Sequence, residues 1–405
     1  DGDGDLDLYV TRYGRERVGS SPGGSEHDRL AKLEIEKHRA GIPLDPKFAE
    51  LYEVLEFPNG DEIEYVVEQK GEPDNLYLND GKGVFSAVLD AEGRFRDEDG
   101  RPIPMPWDWG LSAQFRDVDG DGDPDLYVSN DFYSPDRFWL NDGRGFFSAV
   151  DRLAVRRTSV FSMAVDFADI NRDGHLDFFT ADMLSRRHTQ RKVQMGPMKP
   201  TPIYIGQIDN RPQVMQNTMF VNRGDGTYAE IAQFAGVKAS EWSWGSLFLD
   251  VDLDGYEDLI VASGMIRDYM DADINEQIKN VPLGSEEDLR SIRHLFPKLP
   301  TQNFIFHNGR NLQFRDRSRE WGFGLEAVSG GVVTADFDND GDLDTFIANQ
   351  RDQPNAMLLR DTEEDGSIRF ISQSADMLAD DKGWSYSVAA ADADNDGFVD
   401  IYVSN

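Results

Sequence analysis

The sequence predicts an all-β chain, a β-propeller of four-stranded blades with partly helical loop insertions, and three observations predict it. An acidic pattern, D-x-(D/N)-x-D-G-x-x-D, occurs five times along the 405 residues. A β-type run follows each copy at once. Between successive copies lie two further apolar runs around a turn rich in Asn, Asp and Gly. Units of about four strands repeating along one chain cannot each bury both faces alone, and stacking them radially around an axis covers both.

In chain order the acidic copies are DVDGDGDPD (Asp117–Asp125), DINRDGHLD (Asp169–Asp177), DVDLDGYED (Asp250–Asp258), DFDNDGDLD (Asp336–Asp344) and DADNDGFVD (Asp392–Asp400). The opening DGDGDLD reads as a sixth copy without its first two positions. Eight residues before each first Asp stands Trp109, Phe161, Trp242, Val328 or Trp384, marking a strand that enters the loop. After each last Asp come LYVSN, FFTAD, LIVAS, TFIAN and IYVSN, so every loop joins two strands. An EF-hand, which closes with Glu at its twelfth position and continues as a helix, does not fit. The hairpins follow as NLYLNDGKGVF from Asn75, RFWLNDGRGFF from Arg137, NTMFVNRGDGTY from Asn217, NFIFHNGRNLQF from Asn303 and NAMLLRDTEEDGSIRF from Asn355. Their Asn, Asp and Gly residues tolerate the positive φ that tight turns need.

The loops are unevenly spaced, and the longer intervals predict insertions at about 14–72, 183–215 and 264–302 in one propeller spanning 1–405. DPKFAELYEVLEF predicts a helix, with Asp45 as cap, Pro46 in the first turn, and Phe48, Leu51, Tyr52 and Leu55 on one face. SEEDLRSIRHLF predicts another, capped by Ser285 and stopped by Pro297. With three strands at the start and two at the end, the chain is expected to be a fragment of a propeller of about seven blades, so a leader peptide upstream is not visible.

The acidic loops carry the chemistry. Their first, third, fifth and ninth positions offer side-chain oxygens, Gly at the sixth allows a sharp turn, and a main-chain carbonyl at the seventh completes the set. The candidate ligands are Asp117, Asp119, Asp121, Asp123 and Asp125; Asp169, Asn171, Asp173, His175 and Asp177; Asp250, Asp252, Asp254, Tyr256 and Asp258; Asp336, Asp338, Asp340, Asp342 and Asp344; and Asp392, Asp394, Asp396, Phe398 and Asp400. Asp1, Asp3 and Asp7 form a truncated sixth set. With water, each complete loop reaches the roughly 6–8 hard oxygens that Ca²⁺ takes. Two carboxylates about 4.5 Å apart repel by roughly 3–4 kcal/mol at an effective dielectric of about 20, so an empty loop has reason to protonate, open or fill. Asn171 removes one charge and predicts weaker affinity. About five complete Ca²⁺ sites are expected, holding blades together rather than performing chemistry, because loops saturated by protein ligands leave no open position for a substrate.

The balance of 41 Lys+Arg against 76 Asp+Glu, a net charge of −35, makes nucleic acid and anionic membranes poor partners. Absence of Cys excludes a disulfide framework and thiolate metal sites. No apolar run approaches the roughly 18 residues of a membrane helix.

The order WGLSAQFRDVDGDGDPDLYVSNDF, RFWLNDGRGFF, DMLSRRHTQ, EWSWGSLFLDVDLDGYEDLIVASG resembles VCBS/FG-GAP-like repeat propellers, of the general kind found in integrin α subunits, and looks most like bacterial members of the cartilage acidic protein (ASPIC/UnbV-type) group. The resemblance covers nearly all of the chain outside the insertions. It implies a secreted or surface-exposed seven-bladed propeller whose aspartate loops bind Ca²⁺. No literal Phe-Gly…Gly-Ala-Pro string is present, so integrin-like ligand recognition is not carried over, and the C-terminal domain typical of the ASPIC/UnbV group does not appear before Asn405.

Other motifs read more plainly. RGD at Arg223–Asp225 sits where the other copies form a hairpin turn. Trp109, Trp242 and Trp384 share one strand position and are expected in the core, whereas Trp107 and Trp244 are freer candidates for a sugar surface. The segment SRRHTQRKVQMGPMKP carries five Lys or Arg and no acid; it reads as a solvated loop paired with acidic neighbours, or as a dock for an acidic glycan or partner. No H-E-x-x-H, G-x-S-x-G or phosphate loop is present. The function expected is therefore a non-enzymatic Ca²⁺-binding scaffold for adhesion or binding, extracellular, periplasmic or at the cell surface, with a protein or glycan ligand on the insertion-bearing face. The alternatives are a Ca²⁺-dependent polysaccharide lyase or hydrolase on the same scaffold, and a structural module of a larger surface protein.

Overall fold

The computed structural model describes residues 1–14, 25–59, 62–90, 93–194, 212–278, 291–350, 353–373 and 383–405. The fold is a β-propeller of four-stranded blades, and its contacts divide the chain into two compact units. The first comprises Asp1–Val160, Met195–Val214 and Tyr269–Phe296; the second comprises Phe161–Gln194, Met215–Asp268 and Pro297–Asn405.

In the second unit three antiparallel meanders follow one another. The first is Ala164–Ala168, Asp177–Ala181, Thr218–Asn222 and Tyr228–Glu230. The second is Ser243–Leu249, Asp258–Ser263, Phe304–Asn308 and Phe314–Asp316. The third is Ser329–Ala335, Asp344–Asn349, Ala356–Thr362 and Ile368–Gln373. Ser387–Ala391 and Asp400–Ser404 pair as two further strands. In each, the acidic loop joins the first strand to the second.

The first strands of successive sheets lie against one another. A side chain on Gly330 would come within 2.8 Å of the Tyr386 carbonyl oxygen, so glycine there lets neighbouring backbones meet. In the three meanders the second strand is buried along its whole length because the sheet is covered on both faces, whereas Asp400–Ser404 alternates between exposed and half-buried. Leu259 and Val261 pack with Phe179 and Met219 of the preceding sheet. Ile260, one residue out of phase, packs with Ile347 and Leu358 of the following one.

The first unit has a three-stranded sheet, Leu8–Val10, Asn75–Asn79 and Phe85–Ala87. Its second sheet is a meander of Gly110–Arg116, Asp125–Asn130, Arg137–Asn141 and Phe147–Ala149, with Phe95–Arg96 added in parallel at the outer edge. Leu76, Phe95, Leu126, Val128, Trp139 and Phe147 form its core.

The insertions are partly helical, at Ser25–Arg39, Pro46–Leu51, His188–Val193 and Ala272–Ile278. The helix expected from Asp45 ends at Leu51, with Asp45 capping it through the Lys47 amide. Tyr52–Asn59 is instead a strand paired residue for residue with Glu62–Gln69, because that partner takes up the backbone groups along one edge and Tyr52, Val54 and Phe57 are strand formers. The helix expected from Ser285 lies mostly outside the described residues. Trp109 and Trp242 are buried as expected, but Trp384 at the same position is 45% exposed.

Candidate metal centres

Four closing aspartates, Asp125, Asp177, Asp258 and Asp344, are buried clamps as well as candidate ligands, whereas Asp400 is exposed. Asp125 accepts from the Val118 amide at 3.0 Å and the Asn141 amide at 2.8 Å. Asp177 accepts from Ile170 and Asn222, Asp258 from Val251 and Asn308, and Asp344 from Phe337 and Arg360. In each of the four, the two oxygens thus tie the loop's second residue to the blade's third strand. Asp7 meets the Asn79 amide in the same way, and Asp400 meets Ala393. Burial, with the neighbouring carboxylates of the loop adding to it, pushes Asp125 and Asp177 up to about 7 and Asp258 to about 8. Asp344 is raised in the same direction for the same reason.

The other aspartates fold the loop on itself. Both oxygens of the first Asp accept loop amides, as Asp117 does from Gly120 and Gly122, and Asp392 from Asp396 and Gly397. The fifth accepts the amide of the seventh, as Asp121 does from Asp123 and Asp340 from Asp342. Carboxylate oxygens converge in Asp117, Asp119 and Asp125, in Asp336, Asp338 and Asp344, and in Asp392, Asp394 and Asp400, within 4.8 Å of one another in each set. These are hard, all-oxygen donor sets, fit for a divalent cation such as Ca²⁺. A fourth set, in the third complete loop, joins Asp252 and Asp254 to His307. The Asp169–Asp177 loop gives no such set among the described residues; there the Asn171 amide donates to Asp173 at 3.0 Å. Asp1, Asp3 and Asp7 give none either among the described residues.

The repeats these loops define match a known pattern: the FG-GAP-like repeat family matches residues 117–180 and 336–403. The chain carries FG-GAP-like repeats. No curated protein matches its sequence. Among solved structures it is similar to an Agrocybe aegerita lectin that recognises non-reducing terminal N-acetylglucosamine, at 14% identity over 87% of this chain and 74% of the lectin, with TM-score 0.40. It is also similar to a Bacillus licheniformis rhamnogalacturonan lyase, at 12% identity over 87% and 68% of the two chains, TM-score 0.34. A third is the V. cholerae biofilm matrix protein Bap1, at 9% identity over 88% and 66%, TM-score 0.31.

Each candidate set in the FG-GAP-like repeats comes from a single blade, so a bound cation would brace one loop. Neighbouring blades are also tied by protein groups. The Asn308 side-chain amide donates to the Ile170 carbonyl of the preceding loop at 2.9 Å, and Arg360 Nε donates to Val251 in the next interval at 2.7 Å. The matching hairpin residues carry a second clamp that reading them as turn formers missed. Asp136, Asn217, Asn303 and Asn355 each accept the amide ending their blade's second strand, at Asn130, Asp182, Ser263 and Asn349. The sequence signal was the repeated spacing to Asn141, Asn222 and Asn308.

The third loop brings its own cation. Its hairpin has His307 where the other copies have Leu78, Leu140, Val221 and Leu359, and Arg310 where three others have Gly81, Gly143 and Gly224. Arg310 holds the left-handed φ of 60° that those glycines take freely. Its guanidinium meets Asp254 at 2.6 Å, and His307 Nε2 lies 3.0 Å from Asp252. Replacing Arg310 by glycine is expected to relieve the backbone and raise divalent-cation affinity in this loop about tenfold, the equivalent of ~1.4 kcal/mol. Calorimetric titration of R310G against wild type checks this, and an unchanged isotherm contradicts it.

RGD lies exposed in a hairpin turn, where the Arg223 amide donates to the Thr227 carbonyl and Asp225 accepts from the Thr227 amide and hydroxyl. The described part of the basic segment is built into the second unit. Arg186 pairs with Asp316 and covers the Phe304 ring at 5.0 Å, while Arg191 donates to the Ser185 carbonyl. Trp107 is 41% exposed, and Trp244 donates to the Gly264 carbonyl.

Proposed function

We propose that the protein is a calcium-stabilised extracellular binding scaffold without catalytic activity. The observation that carries this is the construction of one acidic loop per blade, three of them converging three carboxylates into an oxygen-only set. Such loops suit the roughly millimolar Ca²⁺ found outside cells, whereas weak sites stay empty in resting cytosol. No helix among the described residues is long and apolar enough to cross a membrane. Within repeats of this kind, the order of motifs resembles that of the bacterial cartilage acidic protein group, and we take that group as the reading to test. The ligand is a protein or glycan bound on the face that carries the insertions.

Calorimetric titration of cation-free protein with Ca²⁺ and with Mg²⁺ tests this reading. Saturable uptake that prefers Ca²⁺ is expected, with one class of site weakened in Asp119→Asn because an oxygen remains but a charge is lost. No uptake, or uptake indifferent to the cation, contradicts it. A screen of acidic and neutral polysaccharides tests the absence of catalysis: shortened or unsaturated products would establish an enzyme.

A further inference from the structure

At the strand ends away from the acidic loops, the second unit has a cleft of about 490 Å³. Its lining includes Arg187, Gln302, Phe304, Arg319 and Glu326. We infer that this cleft binds a uronate-type sugar, a ring bearing one carboxylate and several hydroxyls within a longer chain, and that Arg187 and Arg319 hold the carboxylate.

Three guanidinium groups, Arg186, Arg187 and Arg319, converge in a chain of net charge −35. Arg186 is committed: it pairs with Asp316 and lies over Phe304 and Phe306. Asp316 is saturated in turn by Arg186 and by the amide and hydroxyl of Ser318. Buried Glu241, held at a φ of 63°, accepts the Ser185 hydroxyl at 2.6 Å and the Arg186 amide at 3.2 Å. A non-glycine residue in that conformation persists where its surroundings hold it, and here it fixes the segment that presents Arg187. Glu320 is taken by Arg317.

Two cations are left facing the cleft. Among the described residues, Arg187 has no ion pair or hydrogen bond to its guanidinium, and Arg319 has one hydrogen bond, from Nε to Gln302 at 3.3 Å. A guanidinium fork matches a carboxylate in two parallel bonds. Glu326 at the rim, Gln302 and the occupied carboxylates around them present acceptors, which hydroxyls satisfy without adding charge. A run of acidic side chains would set further negative charge against Glu326 and Glu320, so a sugar acid fits better than an acidic peptide.

The inference rests on the scaffold reading above, and the two fail separately. Calorimetry on the full chain with equal Ca²⁺ in both solutions compares trigalacturonate, the same trimer methyl-esterified, and tetra-aspartate. The acid trimer is expected to bind, and the neutral ester and the peptide to bind at least about tenfold more weakly. In the double variant R187E/R319E the acid trimer is expected to lose at least about tenfold in affinity while the melting temperature stays that of wild type, both side chains being exposed. No binding of the acid trimer, equal binding of the ester, equal binding by the variant, or a preference for tetra-aspartate each overturns the proposal. Cleavage of the trimer would remove the non-catalytic reading and leave this ligand class supported. Failure of the chain to take up Ca²⁺ would remove the calcium reading without bearing on the trimer.

Discussion

Replacing Asp177 by alanine is expected to cost the fold about 2–4 kcal/mol, with or without a divalent cation. Its side chain is fully buried and accepts from the Ile170 amide at 3.2 Å and the Asn222 amide at 2.8 Å. Truncation leaves both donors where water does not reach, and each stranded donor costs about 1–3 kcal/mol. Part of this is offset, because burial already disfavours the charged carboxylate and raises it to about 7. Asparagine is a poor substitute: it offers one acceptor to two donors and sets an amide N–H against a backbone N–H. Asp338→Asn is the contrasting change. Asp338 is exposed and belongs to a convergent oxygen set, so its loss is expected to leave cation-free stability within about 0.5 kcal/mol while weakening cation binding. Urea unfolding reads the global cost, and hydrogen exchange at Ile170 and Asn222 reads the local one. Equal effects of the two substitutions on cation-free protein would show that the closing position is only a ligand and not a clamp.

That contrast marks where the sequence was legible. The blade could be read because each of its parts leaves a local trace: the aspartate spacing, the alternation after it, and the turn residues of the hairpin. Asp177 and Asp338 looked alike because spacing reports that an oxygen is present and not how deeply it lies. The clamp became visible only when the third strand brought the Asn222 amide to it, across 45 residues of sequence. The misread helix has the same cause. Phe48, Leu51, Tyr52 and Leu55 satisfy a helical period, but Tyr52–Asn59 takes its hydrogen bonds from Glu62–Gln69, a partner that no single window contains. His307 and Arg310 were within reach of sequence, since laying the five hairpins over one another exposes both departures. Their meeting with Asp252 and Asp254 required the fold.

The cation-free protein is expected to lose stability as pH rises from about 5 to about 8, and Ca²⁺ is expected to remove or reverse that trend. The sign comes from Asp125, Asp177 and Asp258. Unfolded, each releases its proton near the ordinary 3.8; folded without a cation, burial and the neighbouring carboxylates hold the proton to about 7, 7 and 8. Between those values the folded state carries more protons than the unfolded one. These groups therefore favour the fold at low pH, and that contribution is lost as pH climbs through the folded values. The self-repulsion of a chain of net charge −35 acts in the same direction. A divalent cation changes the balance, since it takes the carboxylate and not the acid, and its affinity grows over the same range. Each site filled at about a hundred times its Kd adds ~2.7 kcal/mol. The gap in melting temperature between calcium-loaded and cation-free protein should therefore widen with pH, and thermal melts at about pH 5, 6, 7 and 8 measure it. In Asp177→Asn the cation-free slope should be shallower, one titrating group having been removed. A gap of constant size, or a cation-free melting temperature that climbs with pH, would mean that the buried carboxylates are not what couples these loops to the fold.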